Sequence, residues 1–118
     1  MSATFDASAA TLRRVQDFVL QHLHEEDLTP TRIAEANHIS LRYLHMLFQR
    51  SDMTVSGWVL DRRLGACKQA LTDPAYNRQR ISEIAFRWGF NSTSHFCRAF
   101  KEKYGAAPGD VRRTAGTS

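Results

Sequence analysis

A helix, turn, helix pattern occurs twice in this chain, about fifty residues apart, and that repeat limits the fold more than any single motif. The upstream copy runs from Ile33 to Phe48 and the downstream copy from Ile84 to Phe100. Ile33-Ala34 pairs with Ile84-Ala85 at an offset of 51, and Phe48 pairs with Phe100 at an offset of 52, so the second turn holds one extra residue. Two tandem copies describe a molecule able to touch one long partner at two places. At 118 residues, lobes of this size share one modest core or two very small ones.

The pattern around the repeat is helical throughout. Leu12, Val15, Phe18, Val19, His22 and Leu23 recur at three- and four-residue steps and predict an amphipathic first helix. Thr29-Pro30 offers a capping hydroxyl followed by proline at the first helical position, opening a second helix that ends near Ala36. Asn37-His38-Ile39 forms the turn, and Ser40 caps a third helix with Leu44, Leu47 and Phe48 inward, ending near Asp52. From Thr54 to Thr72 the apolar positions Leu60, Leu64, Cys67 and Leu71 predict one long helix of roughly 28 Å at 1.5 Å per residue. Asp73-Pro74 stops it. A polar loop over 75–80, a fifth helix over 81–88, a turn at Gly89-Phe90-Asn91 and a sixth helix over 92–104 follow. A short seventh helix starts at Pro108 and fades after Arg113. With no persistent two-residue alternation, the expectation is an all-α chain of about seven helices, two helix-turn-helix units joined by a long helix. The expected divisions are a disordered leader over 1–10, a first lobe over 11–53, the linking helix over 54–73, a second lobe over 74–113 and a disordered tail over 114–118.

Charge narrows the partner. Residues 1–30 sum to −3 and residues 31–118 to +7, which places a basic body behind an acidic leader. Thirteen of the sixteen cations are arginine, whose planar fork matches phosphate and guanine edges, favouring nucleic acid over a membrane surface. No apolar run is long enough for a bilayer span and the first ten residues lack the plan of a secretory signal, so a cytoplasmic protein is expected. Cys67 and Cys97 form neither a disulfide framework nor a zinc pattern. His22, His24, Glu25 and Glu26 lack metalloprotease spacing, and neither a phosphate loop nor a nucleophile elbow is present. An enzyme is not expected, nor any cofactor or metal.

In a helix-turn-helix the second helix lies in the major groove and presents its outward side to base edges. On the helix beginning at Ser40 that side is Arg42, His45, Met46 and Gln49; on the helix beginning at Ser92 it is Ser94, Cys97, Arg98 and Lys101, with Thr93 beside it. Arg98 is the strongest base-reading candidate, because arginine bonds bidentately to guanine; its bland alternative is an ion pair with Glu102. Ser40 and Ser92 cap their helices beside amides that can receive a phosphate oxygen. Gln49, Arg50, Lys101 and Arg112 complete the expected DNA-backbone set. Trp58, Phe86, Trp88, Phe90, Phe96 and Phe100 sit on apolar faces and are expected in the core.

Ile84-Ala85, Gly89-Phe90, Ser92, Phe96, Arg98, Phe100-Lys101, Gly105, Pro108 and Arg112 together resemble the C-terminal DNA-binding domain of the AraC/XylS family of bacterial transcription regulators. The resemblance covers about Leu28 to Arg113. It implies two helix-turn-helix lobes in successive major grooves of double-stranded DNA, with positions 42, 45 and 46 and positions 93, 94, 95 and 98 facing bases. His95 enters the set through the resemblance alone. Two departures stand out: Met46 where the family often has arginine, and Met53 where it often has glycine. The alternative from another class is a helical module that recruits a protein such as RNA polymerase, which family members also contact. A small-molecule effector is expected to act only through a domain absent from this chain, which is read as either a stand-alone regulator or an excised C-terminal piece of one, the excised piece being preferred.

Overall fold

The computed structural model describes residues 7–116, and among them the chain forms seven α-helices, one 3-10 turn and no strand. The helices are α1 (Ala7–Gln21), α2 (Pro30–Ala36), α3 (Leu41–Gln49), α4 (Val55–Leu71), α5 (Ile81–Arg87), α6 (Thr93–Tyr104) and α7 (Pro108–Gly116). The chain divides into two compact units, and the division falls inside α4 between Val59 and Leu60.

The first unit comprises residues up to 22 together with Asp27–Val59. In it α1, α2 and α3 pack on one another. Helix α1 starts at Ala7, inside the stretch expected to be a disordered leader; residues 1–6 of that leader lie outside the described residues. Its Val15 and Val19 are fully buried, as are Ile33 of α2, Leu44 of α3 and Val55 at the start of α4. Thr29 caps α2 by accepting a hydrogen bond from the Arg32 amide at 3.2 Å, with Pro30 at the first helical position. The Phe48 and Trp58 rings meet at 6.0 Å, and Trp58 stays partly exposed.

The second unit holds Leu23–Glu26 and everything from Leu60 onward. Its core is Leu64, Cys67, Ala70 and Leu71 of α4, Ile84 and Ala85 of α5, Phe90 of the turn, and Phe96 and Phe100 of α6. Phe90, Phe96, Phe100 and Tyr104 form a chain of aromatic contacts at 5.0, 5.6 and 4.7 Å, which joins the turn to the whole length of α6. Gly105 closes α6 in the left-handed conformation at φ 74°, its amide bonding to Lys101 O at 2.8 Å. Of the aromatic residues expected in the core, Phe86 is a correction. It is 52% exposed, because it lies two residues from the buried Ile84 on a 3.6-residue helix and so points away from the core. The polar loop after Asp73 is also more ordered than expected. Asp73 accepts from the Ala75 amide at 2.9 Å and starts a 3-10 turn at Pro74–Tyr76. Helix α7 continues to Gly116, past the expected fade at Arg113; residues 117–118 lie outside the described residues.

Candidate nucleic-acid interface

Each turn is built by the same backbone bond at equivalent positions. The Ile39 amide donates to Ala34 O at 3.1 Å in the first, and the Phe90 amide donates to Ala85 O at 3.0 Å in the second, the two 51 residues apart. Beyond the turn the equivalence shifts by one. Ser40 Oγ accepts from the Tyr43 amide at 3.0 Å, and Ser92 Oγ accepts from the His95 amide at 3.2 Å. The residue inserted between these landmarks is Asn91. Both turns place one residue in the left-handed region: His38 at φ 58° and Gly89 at φ 91°.

These caps and turns aim α3 and α6. On α3 the buried side is Leu44, Leu47 and Phe48, while Arg42, His45, Met46, Gln49 and Arg50 are all exposed, Met46 at 48%. On α6 the buried side is Phe96 and Phe100; Ser94, His95, Arg98 and Lys101 are exposed, and Ser92, Thr93 and Cys97 are half-buried. Cys97 therefore sits at the edge of the outward stripe and packs partly against the core. The His95 ring lies 6.0 Å from the Phe90 ring, so the turn steadies the residue that periodicity did not single out.

The cations divide into two groups. The side chains of Arg42, Arg98 and Lys101 have no hydrogen-bond or ion-pair partner among the described residues, and the Arg98 to Glu102 pair is not formed. Others are engaged inside the protein. Arg112, expected in the DNA-backbone set, is among them. Its Nη1 donates to Gln79 O at 2.7 Å and its Nη2 to Tyr76 O at 2.8 Å, so the guanidinium closes the loop between the 3-10 turn and α5 and is half-buried. Arg50 keeps its exposure but donates to Ser8 Oγ at 2.8 Å. Lys103 pairs with Asp61 of α4, and Lys68 lies 4.5 Å over the Tyr104 ring. Burial raises the Asp61 carboxyl, but hydrogen bonds from Lys103 and Arg62 outweigh it and hold the group below its ordinary value.

Two further arginines, unremarked in the sequence, reach the turns from the helix that opens each three-helix lobe. Arg14 of α1 donates to Asn37 O at 3.0 Å. Arg63 of α4 donates through Nε to Leu23 O at 3.1 Å and through Nη2 to Glu25 O. Burial lowers the Arg63 pKa, opposed by Cys67 and Glu26, and pushes the Cys67 thiol up to about 12. Neither arginine carries a sequence signal, because each bonds to backbone carbonyls that any residue supplies. Among the described residues no group of His, Cys, Asp and Glu is placed to hold a metal ion, and no helix is long and apolar enough to cross a membrane.

Comparison with known proteins agrees with this geometry. A family model described as a helix-turn-helix domain matches residues 33–114. The chain is 37% identical over 102 residues to the transcriptional activator NphR of a Rhodococcus species, covering 86% of this chain and 30% of that protein. It thus spans about a third of the length of such relatives. Among solved structures, the C-terminal domain of AraT, a response regulator from Geobacillus stearothermophilus, matches with TM-score 0.82 and 25% identity over 92% of this chain and 88% of that one. An AraC-type regulator from Chromobacterium violaceum matches with TM-score 0.82 and 23% identity, covering 93% and 96%.

Proposed function

Because the chain belongs to the AraC/XylS family of transcription regulators, as its helix-turn-helix DNA-binding region, we propose that it binds double-stranded DNA sequence-specifically, with α3 and α6 in successive major grooves of a non-palindromic site. The observation that carries this reading is the state of the outward stripes. Arg42, His45, Met46 and Gln49 of α3 and Ser94, His95, Arg98 and Lys101 of α6 are exposed and all but Met46 are polar, and the side chains of Arg42, Arg98 and Lys101 are uncommitted among the described residues. Half-buried arginines bonded to carbonyls are occupied within the protein; exposed, unpaired cations on the outward side of a helix are available to phosphates and base edges.

In this reading Arg42, His45 and Met46 face bases from α3, and Thr93, Ser94, His95 and Arg98 face bases from α6. Arg98 donates bidentately to guanine, while Met46 offers an apolar contact suited to a thymine methyl. Ser40, Gln49, Arg50, Ser92, Lys101 and Arg112 hold the sugar-phosphate backbone, Arg112 while also donating to Gln79 O and Tyr76 O inside the second unit. Two unlike helices read two unlike half-elements, about 10–10.5 bp apart, and one chain suffices. Response to a small molecule through a region outside this chain belongs to the same reading, whereas a module that only recruits a protein such as RNA polymerase is the alternative to it.

Selection of bound sequences from a random duplex pool, followed by footprinting, tests it. The expected result is an asymmetric motif with two protected major-groove segments. A mirror-symmetric motif needing two chains, or protection of one groove, overturns it. With roughly six phosphates neutralised, log K against log salt has a slope near −5. A flat salt response points instead to the protein-recruiting alternative.

A further inference from the structure

The second turn rests on a cation that the DNA-binding reading does not use. Arg63 projects from α4, its guanidinium half-buried, and its two donated bonds go to the carbonyls of Leu23 and Glu25. The short segment Leu23–Glu26 is thereby part of the second unit although it lies far from it in sequence. Gly89 lies against the same guanidinium and the same Leu23 carbonyl. A Cβ placed there would fall 2.7 Å from Arg63 Cζ and Nε, and inside contact distance of Leu23 O. Leu23 O, the Arg63 plane and the Gly89 backbone therefore form one close-packed layer. Gly89 directly precedes Phe90, whose amide donates to Ala85 O at 3.0 Å between α5 and α6 and whose ring begins the aromatic chain along α6.

We infer that Arg63 is a positioning residue for DNA reading: by clamping Leu23–Glu26 behind the Gly89 turn, it sets how α6 presents Thr93, Ser94, His95 and Arg98 to base edges. The role needs a flat group that donates from Nε and Nη2 to two carbonyls while lying close against a glycine. Arginine does both; lysine supplies the charge as a point and neither the fork nor the plane. A tilt of α6 displaces all its outward side chains together, and bidentate bonds to a base tolerate little displacement. The inference rests on the base-reading role given to α6 above.

The test compares wild type with R63K on the selected duplex and on duplexes altered in one half-site at a time, by fluorescence anisotropy over a salt series. In R63K, discrimination among sequences of the half read by α6 should fall about tenfold, the scale of one misplaced base contact. Discrimination in the half read by α3, and the salt slope, should stay at wild-type values. Unchanged discrimination in both halves, or an equal loss in both, overturns the inference. If the wild-type chain itself shows no preference in either half, the proposed function fails, and the inference with it. A measurement free of any variant runs beside it. The Arg63 Nε–H resonance of the wild-type chain should be protected from exchange, and should shift when a duplex carrying the α6 half is added but not one carrying only the α3 half. An exposed or unresponsive resonance overturns the clamp even if R63K does not fold.

Discussion

In the turn between α2 and α3 the left-handed position is taken by His38 at φ 58°, and in the turn between α5 and α6 by Gly89 at φ 91°. The backbone bonds on either side are the same, and the surroundings are not. His38 is exposed, so its Cβ meets solvent and the only cost is the backbone strain of a left-handed L-residue. Gly89 is buried under Leu23 O and the Arg63 guanidinium, where no Cβ fits. What separates the two positions is the layer packed behind the turn, and that layer belongs to the second unit alone. The outward stripes differ in the same sense. α3 carries Met46 at the position matching Arg98 of α6, so the lobe with the tighter turn also carries the more demanding hydrogen-bonding group.

The largest expected effect falls on the tight turn. Gly89→Ala should destabilise the chain by about 2–5 kcal/mol, combining left-handed strain with overpacking against a backbone carbonyl. Urea melting measures it, and a loss below about 1 kcal/mol would mean that the layer gives way easily, which removes the contrast between the turns. Next is the contrast between recognition helices. Arg98→Ala should weaken specific binding by about 1–3 kcal/mol and relax preference at one base pair, whereas Met46→Ala should cost under about 1 kcal/mol. Binding titrations against single-base variants check both; an Arg98→Ala loss equal on every sequence would move Arg98 to the phosphate backbone. The smallest effect belongs to the open turn. His38→Gly relieves about 1–2 kcal/mol of strain but adds about 0.5–1 kcal/mol of chain entropy, so a net stabilisation of no more than about 1.5 kcal/mol is expected. A destabilisation comparable to that of Gly89→Ala would show that the His38 ring, and not the backbone, holds the first turn.

Much of the architecture could be read from residues alone, since periodicity, caps and the repeat are local signals. Thr29-Pro30, Ser40 and Ser92 each cap the helix they were expected to cap. Leu44, Leu47 and Phe48 lie inward because three- and four-residue spacing dictates it. Phe86 is outside the core because phase overrides hydrophobicity: two residues from Ile84 is the far side of a helix. The destinations of the arginines were hidden for a different reason. Arg112, Arg63 and Arg14 all end on backbone carbonyls distant in sequence, at separations of 33 to 40 residues for the first two and 23 for the third. A carbonyl has no letter in the sequence, so charge counting cannot tell a cation aimed at phosphate from one spent on the protein's own main chain.

The two thiols occupy very different settings. Cys67 is fully buried and its proton is held up to about 12, whereas Cys97 is partly open on α6, one residue before Arg98. A maleimide dye offered to the folded chain near neutral pH should therefore attach at one address without any cysteine being engineered out. That address neighbours the proposed reading surface, which makes the native molecule its own fluorescent reporter for occupancy of the duplex.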